Sequence, residues 1–583
     1  MKLPNIKLII SILILAFLLT SCNNEPTDKT VEPKVNDDIE YMQGIDDISL
    51  RELKSVYADD DDTSVVTMYL TVTAGNSVDN TDHTWSDVNA NSVYYYLENG
   101  IQRYAVEGIL QVGDESGPLE NEFGFGSVTP NTIVHIRGQT SSRSPQKSYK
   151  VEINNDSGMW RGQTNIALNK HVYDTVRFRN KLVYDLLKTI PAAFSSRTQF
   201  VHLYVKDLTT GNPDAGFVDH GLFTQAEQPN KKYLRARGLD ENGHLYKAIM
   251  FEFERYYDDI KLESDPEFNL DSFEARLESR GNQDNSKLLN MLDEVNNYSM
   301  DFEEVFEKHF DAENYFTWLA FQLLVGNKDT TSQNFFLYSP LNGLKWYFIP
   351  WDNDDSFSHE EDFAFGYTTK YDYTFGPSIY WSSVIHKRIL TSPKYRQMLD
   401  NKMNELRAVI TRERIEELVW QYDSIVRPYL FSQPDAGYSP MTLPEYSRIL
   451  QMIPNEMELN YNAYLASLKK PTPFYLGDPI IDKDNIVFSW NESTDFYNSQ
   501  VRYTFELARD YNFSSIIFRA DDLEMPAVRH NMLPPGEYFA RITSENESGE
   551  TQTAMEIFIA PNGSKHPGIM SFEISEDGTI TRL

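Results

Sequence analysis

The chain has 583 residues, of which 40% are hydrophobic and 24% are charged, a composition typical of folded globular proteins rather than disordered ones. This length is too great for a single hydrophobic core, so we expect about three or four folded units. The formal net charge of −34 makes a broad phosphate-binding surface implausible, because affinity for nucleic acid comes largely from clustered lysine and arginine. We therefore exclude nucleic acid as a partner.

The N-terminus predicts an export signal. A short basic start precedes the apolar run 8–19, which is too short to span a membrane, and small residues then lead to Cys22. This pattern predicts a signal peptide over residues 1–21 and acylation of Cys22, the only cysteine, so that no disulfide can form. The alternative is a membrane anchor with an incidental cysteine. Residues 22–45, poor in large apolar side chains, predict a flexible tether, and we expect a bacterial-type lipoprotein at the outer membrane, the cell surface or the periplasmic face.

The next elements in chain order are mostly strands. Alternation and β-branched residues predict strands at 67–72, 132–136, 148–153 and 199–205. One helix interrupts them, with Asp174 as its predicted N-cap and an end near Lys188, before Pro191. We expect a strand-rich unit over residues 46–250.

Helical periodicity then dominates residues 251–470. It predicts one helix from Asp311 to Val325, closed by Gly326, and a long helical region from Pro393 to about Tyr429. A proline-containing linker at 470–473 follows, and short alternating strands predict a small β-sandwich over 471–583 that resembles fibronectin type III domains. The expected fold class is α+β.

The most informative segment reads as loop, hairpin, loop. The pair Asn342-Gly343 lies between two aromatic-rich apolar runs, a strong hairpin signal, and a hairpin returns its second strand to the start of its first. Asn334 and Asp352 should then lie close together. An amide oxygen and a carboxylate are hard ligands suited to Mg²⁺ or Mn²⁺.

Asp329 lies five residues before Asn334 on the same loop, within reach of the same cleft as a base or orienting group. Protein kinases place a catalytic Asp, a metal-binding Asn five residues later, a short hairpin and a second metal-binding Asp in this order. The alternative is that each of these residues caps a turn. A calcium loop at 352–354 is less favoured, because Phe357 stands where the obligatory glycine would be.

The strand-rich unit offers positive charge for phosphate. A hydroxyl-rich loop lies between the strands that end near Arg137 and begin near Ser148, and it carries Arg143 and Lys147. Its amides and hydroxyls could approach a phosphate that the two cations neutralise. The alternative is an ordinary polar hairpin at the surface.

From about Val65 to Ala466 the chain resembles the spore coat protein H (CotH) kinase family of atypical protein kinases. The resemblance rests on these motifs: Arg137-Gly138, Ser142-Arg143, Lys147-Ser148-Tyr149, Ala167-Leu168-Asn169 with Asp174, Arg179-Asn180-Lys181, Gly221-Leu222-Phe223 with Glu227, Asn314-Tyr315, Gly326-Asn327-x-Asp329 with Asn334, and Ile349-Pro350-Trp351-Asp352-x-Asp354.

The resemblance implies a two-lobed kinase-like core with Asp329 as the catalytic aspartate and Asn334 and Asp352 as metal ligands. It further implies a cofactor-binding set, with Lys147 as the main phosphate-holding cation: Lys147, Arg143, Arg137 and Glu227.

The implied function is transfer of the ATP γ-phosphate, with Mg²⁺ or Mn²⁺, to Ser or Thr of a surface or secreted protein. The second hypothesis is a catalytically silent binding or adhesion lipoprotein that uses the kinase-like core as a scaffold. The expected partners are a protein substrate and, through acylated Cys22, a lipid membrane.

Overall fold

A computed structural model of the protein describes residues 49–365, 379–439 and 441–583. The predicted signal peptide, Cys22 and the tether over 22–45 lie outside the described residues. Leu50–Leu583 belong to one compact unit. Within the described ranges, no helix combines the length and the apolar character that crossing a membrane requires.

The first part of the chain forms a sheet of eight strands in the order β1-β7-β8-β6-β5-β4-β2-β3. Because β1 also pairs with β2, the ladder closes on itself, with β3 attached at its side. Buried and half-buried positions alternate along β4, as expected for a strand with one face on a core. The strands are β1 (Val65–Thr73), β2 (Ala105–Asp114), β3 (Gly117–Pro118), β4 (Thr132–Arg137), β5 (Ser148–Ile153), β6 (Asn165–Asn169), β7 (Thr198–Asp207) and β8 (Val218–Ala226).

Three helices accompany this sheet: α1 (Trp85–Ala90), α2 (Val93–Asn99) and α3 (Arg179–Lys188). The prediction that Asp174 is the N-cap of α3 is wrong, because the helix begins at Arg179 after Phe178. Arg177 adopts a left-handed φ of 65°, which turns the chain before the helix starts. The Asp174 carboxylate still accepts a hydrogen bond from the Arg179 amide at 2.8 Å.

A second sheet, in the order β10-β9-β11-β12, belongs to the helix-rich part. Its strands are β9 (His244–Ala248), β10 (Leu277–Ser279), β11 (Phe335–Ser339) and β12 (Tyr347–Pro350). The helices around it are α4 (Lys231–Ala236), α5 (Leu270–Glu274), α6 (Ser286–Val295), α7 (Phe302–His309), α8 (Ala312–Val325), α9 (His359–Phe365), α10 (Val384–Thr391), α11 (Pro393–Val409), α12 (Arg412–Leu430), α13 (Leu443–Met452) and α14 (Glu456–Ser467).

Capping explains where the main helices end. Asp311 caps α8 through the Asn314 amide, and Gly326 closes it in the left-handed conformation, both as predicted. The long helical region predicted from Pro393 consists of two helices, α11 and α12. Thr411 is the N-cap of the second helix: its hydroxyl accepts a hydrogen bond from the Arg414 amide, so a new helix begins there.

Residues after the linker form two sheets around a shared core, one in the order β13-β14-β17 and one in the order β16-β15-β18-β22-β23, in which β19 also pairs with β18, while β20 and β21 form a separate two-stranded sheet. The strands are β13 (Ile480–Asp482), β14 (Asn485–Ser489), β15 (Val501–Ala508), β16 (Ile516–Leu523), β17 (Ala527–Asn531), β18 (Gly536–Asn546), β19 (Thr551–Thr553), β20 (Ile557–Ile559), β21 (Lys565–Pro567), β22 (Ile569–Ile574) and β23 (Ile580–Arg582). Arg396 of α11 ties this part to the helices by donating to the Phe496 carbonyl at 2.8 Å. The α+β class is confirmed; the two-lobed kinase likeness, the fibronectin likeness and the unit boundaries stay predictions.

Candidate functional site

The β11–β12 hairpin forms the base of the site. Its strands pair antiparallel, with Phe335 opposite Pro350. The Trp351 amide then donates to the Asn334 carbonyl at 3.1 Å, so the chain segments entering and leaving the hairpin are in contact. The hairpin is present as predicted, but its connection is a loop over 340–346 rather than a two-residue Asn-Gly turn, and the Gly343 amide donates to the Pro340 carbonyl at 3.2 Å.

Two residues flanking the hairpin hold an unfavourable backbone conformation. Asn334 has a φ of 59° and Asp352 a φ of 51°, the left-handed region that residues with a Cβ seldom occupy. Such strain persists only where the surrounding structure enforces it, and it is concentrated at functional sites. The two predicted metal ligands therefore share one backbone conformation, which Asn and Asp adopt more readily than other residues with a Cβ.

Asp329 and Asn334 are in direct contact. The Asn334 amide group donates to Asp329 Oδ2 at 2.8 Å, and the Gln333 amide group donates to the other carboxylate oxygen. Burial raises the pKa of Asp329, and the Asp354 carboxylate adds to this rise, while the two donors oppose it. Among the described residues, none donates to the amide oxygen of Asn334, so that oxygen stays available to a ligand.

A carboxylate pair follows the hairpin. Burial and the Asp354 charge raise the pKa of Asp352, and the positive charge of Arg137 opposes them. Although burial alone would raise the pKa of Asp354, a contact with His171 Nδ1 at 3.3 Å lowers it. Two carboxylates of unlike pKa thus lie side by side, close to positive charge.

A buried amide, Asn353, connects the two loops that carry these acids. Its oxygen accepts from Gln322 at 3.2 Å and from Asn327 at 3.3 Å, and its backbone amide donates to the Asn180 side chain at 3.0 Å. Asn327 in turn accepts from the Asp329 backbone amide at 3.1 Å. Asn353 had no predicted role, and only its place between two acidic residues could have pointed to it.

Two basic side chains, Arg137 and Lys247, lie near Asp352 without a protein partner. Both are half-buried, and neither makes a hydrogen bond or ion pair with any residue that the structure describes. Burial lowers the pKa of each; the Asp352 charge opposes that effect on Arg137, and the Glu278 and Asp352 charges oppose it on Lys247. Sequence reasoning missed Lys247, because its place beside the hairpin depends on β9 pairing with β11, where Lys247 lies opposite Phe336.

Lys147 and Arg143 differ in their surroundings. Lys147 is buried, donates to the Ser142 carbonyl at 2.6 Å, and has its pKa lowered by burial. No carboxylate of the described chain lies within ion-pairing distance of its ammonium group. Arg143 is exposed and stacks on the Tyr94 ring, 4.0 Å from its centre.

Glu227 has two arginine partners. Arg197 and Arg237 each donate to one of its oxygens at 2.7 Å. Although burial would raise the pKa of Glu227, these arginines lower it to about 2. Glu227 makes no hydrogen bond or ion pair with Asp329, Asn334 or Asp352.

The predicted metal ligands do not form a closed protein site. Across the described ranges, no group of three or more His, Cys, Asp or Glu side chains is arranged to hold a metal ion. The structure joins Asp329 to Asn334 by a hydrogen bond and brings the backbones of Asn334 and Trp351 together. It gives no direct contact between the Asn334 amide and the Asp352 carboxylate.

Known proteins resemble the part of the chain that contains the candidate site. A family model described as "CotH kinase protein" matches residues 134–464, which run from β4 into α14. The "Inner spore coat protein H" of Bacillus subtilis (strain 168) is 22% identical over 306 residues, covering 52% of this chain and 78% of that protein. Because the matched region spans more than half of the chain and contains every residue of the site, the protein belongs to the CotH kinase family.

Proposed function

We propose that the protein is a CotH-type protein kinase that transfers the γ-phosphate of ATP to a Ser or Thr hydroxyl of a surface or secreted protein. The observation that carries this proposal is the hydrogen-bonded pair Asp329–Asn334 just before the hairpin and Asp352 just after it, at the same open end, where the Trp351 amide donates to the Asn334 carbonyl. Phosphoryl transfer asks little of a protein beyond positioning and charge stabilisation, and these residues supply both.

The residues fit Mg²⁺ or Mn²⁺ bound to ATP. Asp352 and the amide oxygen of Asn334 would hold the ion, and such ions normally complete their shell with water and phosphate oxygens rather than with protein alone. The incomplete protein ligand set therefore agrees with an ion that arrives with the nucleotide. When bound, the ion neutralises charge on the phosphates.

The unpartnered cations fit the phosphates themselves. Arg137 and Lys247 have free donors close to Asp352, and Lys147 has two remaining N–H groups after its bond to Ser142. Charge-assisted hydrogen bonds to phosphate are about twice as strong as neutral ones. We propose these three residues as the phosphate-binding set, and we do not assign that role to Glu227, whose oxygens are already taken.

Asp329 is the proposed catalytic aspartate. Gln333 and Asn334 fix the orientation of its carboxylate, and a raised pKa makes it a better proton acceptor. Asp329 would orient the acceptor hydroxyl and take its proton, while the hydroxyl oxygen bonds to the γ-phosphorus and the bond to the bridging oxygen of ADP breaks.

The test uses protein lacking the predicted signal peptide, with Mg-ATP. Saturation at 100 times the dissociation constant adds about 2.7 kcal/mol of stability, an easily measured rise in melting temperature. Asp352→Ala should abolish this rise, whereas Asp329→Ala should retain it and lose phosphate incorporation measured by mass spectrometry. Asp293→Ala, at an exposed carboxylate, is the control. Phosphate incorporation that persists in Asp329→Ala would refute the assigned role.

A silent binding or adhesion protein is the second candidate, and exposed apolar side chains on the C-terminal strands favour it. Ile480 on β13 and Ile559 on β20 are 59% and 61% exposed. An unchanged melting temperature with Mg-ATP would favour this function. Attachment to a membrane through acylated Cys22 is proposed for either case, and the spore coat relative supports a surface location.

A further inference from the structure

A carboxylate from the helical part of the chain reaches the hydroxyl-rich loop. Asp435 begins a short 3-10 helix (Asp435–Tyr438) that follows α12, and its side chain is buried. Its Oδ1 accepts from the Gln146 amide group and from the Lys170 ammonium group, each at 2.7 Å. Its Oδ2 accepts from the Leu222 backbone amide at 3.2 Å. All three groups facing this carboxylate are donors.

The Gln146 side chain is held at both ends. While its amide nitrogen donates to Asp435, its oxygen accepts from Arg177 at 3.2 Å, and Arg177 also donates to the Lys170 carbonyl at 2.6 Å. Both partners come from outside the loop, and Asp435 lies 289 positions away in the sequence. Gln146 directly precedes Lys147, whose ammonium group donates to the Ser142 carbonyl across the same loop.

The surrounding chain is shaped to admit this carboxylate. Gly221 has a φ of 73°, and a Cβ at that position would lie 2.4 Å from Asp435 Oδ2, so glycine is required on both counts. Lys170 uses its three N–H donors on Asp435 and on the His220 and Leu222 carbonyls. Lys170 therefore has no N–H donor left for a further partner.

We infer that Asp435 is a positioning residue for phosphate binding, which acts by fixing Gln146 and, through it, the loop that presents Lys147. This inference rests on the proposed function, since it takes the loop to meet the ATP phosphates. A fixed loop binds phosphate without first being ordered, which lowers the cost of binding. The helical part of the chain thus controls a loop of the strand-rich part.

Two variants distinguish the effect of the Gln146–Asp435 hydrogen bond on the loop from an effect on the stability of the whole fold. Asp435→Asn keeps the shape but turns an amide group toward at least one of three donors, and it weakens the charge facing buried Lys170. Gln146→Met removes the two side-chain hydrogen bonds of Gln146, to Asp435 and from Arg177, and leaves the Lys170–Asp435 pair intact. The matched controls are Asp423→Asn, a buried carboxylate paired with Arg427, and Gln421→Met, a half-buried glutamine on α12.

Hydrogen exchange of the ligand-free protein tests whether the Gln146–Asp435 hydrogen bond orders the loop, and it does not require the protein to be active. Both variants should lose amide protection over residues 139–147 and keep the protection of β15 and β18, and the controls should match the wild type. Wild-type protection in Gln146→Met would overturn the inference even if the wild type proves inactive. If Asp435→Asn does not fold, Gln146→Met alone decides.

Kinetics then test the link to phosphate. Gln146→Met should raise the KM for ATP by about tenfold, the loss expected for one charge-assisted hydrogen bond, with kcat unchanged. A merely structural role would instead lower the melting temperature and the active fraction without changing KM. Loss of loop protection with an unchanged KM would overturn the link to phosphate, whereas a wild type that incorporates no phosphate would count against the proposed function.

Discussion

Glu227→Gln tests whether Glu227 serves the fold or the nucleotide. The carboxylate is buried and binds Arg197 and Arg237, and Arg237, which is fully buried, also binds Glu52 at 2.9 Å. Replacing the carboxylate with an amide removes one of the two negative charges that compensate Arg237. Breaking a buried pair in this way is costly, because it leaves an uncompensated charge inside the protein.

The pKa of Glu227 sets the size of the effect. The arginines lower it from the ordinary 4.5 to about 2, against the opposing effect of burial. Each tenfold change in a group's proton affinity corresponds to about 1.36 kcal/mol, so ionised Glu227 contributes about 3 kcal/mol to the free energy of unfolding. Since the pKa is lower in the folded state, this contribution is complete above pH 4.5 and is lost as the pH falls toward 2.

Urea unfolding measures this contribution directly. At pH 7 we expect Glu227→Gln to lower the free energy of unfolding by about 3 kcal/mol, and the difference from the wild type should shrink below about pH 4. Glu416→Gln, at an exposed ion pair on α12, should change it by less than about 0.5 kcal/mol. Loss of ATP affinity in Glu227→Gln at unchanged stability would refute the structural role and restore the predicted nucleotide contact.

Other substitutions probe the remaining contacts. Asn353→Leu strands two buried amide donors and should lower the free energy of unfolding by about 2–4 kcal/mol and reduce kcat, as chemical denaturation and kinetics would show. Gly221→Ala brings a Cβ against Asp435 in a left-handed conformation and should lower the melting temperature; an unchanged melting curve would contradict the required glycine. Arg396→Met removes the bond to the Phe496 carbonyl and should make the C-terminal strands more sensitive to protease than in the wild type.

Local patterns gave the parts of the fold whose determinants are close together in the sequence. The cap of α8 and its left-handed glycine could be predicted because each residue acts on its own turn. The hairpin could be predicted from two aromatic-rich apolar runs separated by turn residues, although the turn itself runs from Pro340 to Gly343, and the approach of Asn334 to the segment after β12 followed from the hairpin. The contact between Asp329 and Asn334 agrees with their spacing on one loop.

Sequence patterns failed to predict features that depend on the backbone conformation of one residue or on a contact with a residue far away in the sequence. Asp174 looks like a cap, but the left-handed Arg177 delays the helix to Arg179. Lys247 joins the site only through the pairing of two strands that are far apart in the sequence. Asp435 reaches Gln146 across 289 positions, and no local pattern encodes such a contact.

The aromatic side chains of the hairpin do more than support the pairing of β11 with β12. Left-handed Asn334 and Asp352 each cost about 1–3 kcal/mol, and tight packing nearby must offset that strain. Every residue of β11 and β12 is buried, and the Phe348 ring lies 5.3 Å from Phe335 and 4.6 Å from Trp318 of α8. Such ring pairs add about 0.5–1.5 kcal/mol each beyond their area burial and so help to hold the two flanks in place. The aromatic side chains from which the hairpin is predicted therefore also help to keep Asn334 and Asp352 in their left-handed conformation.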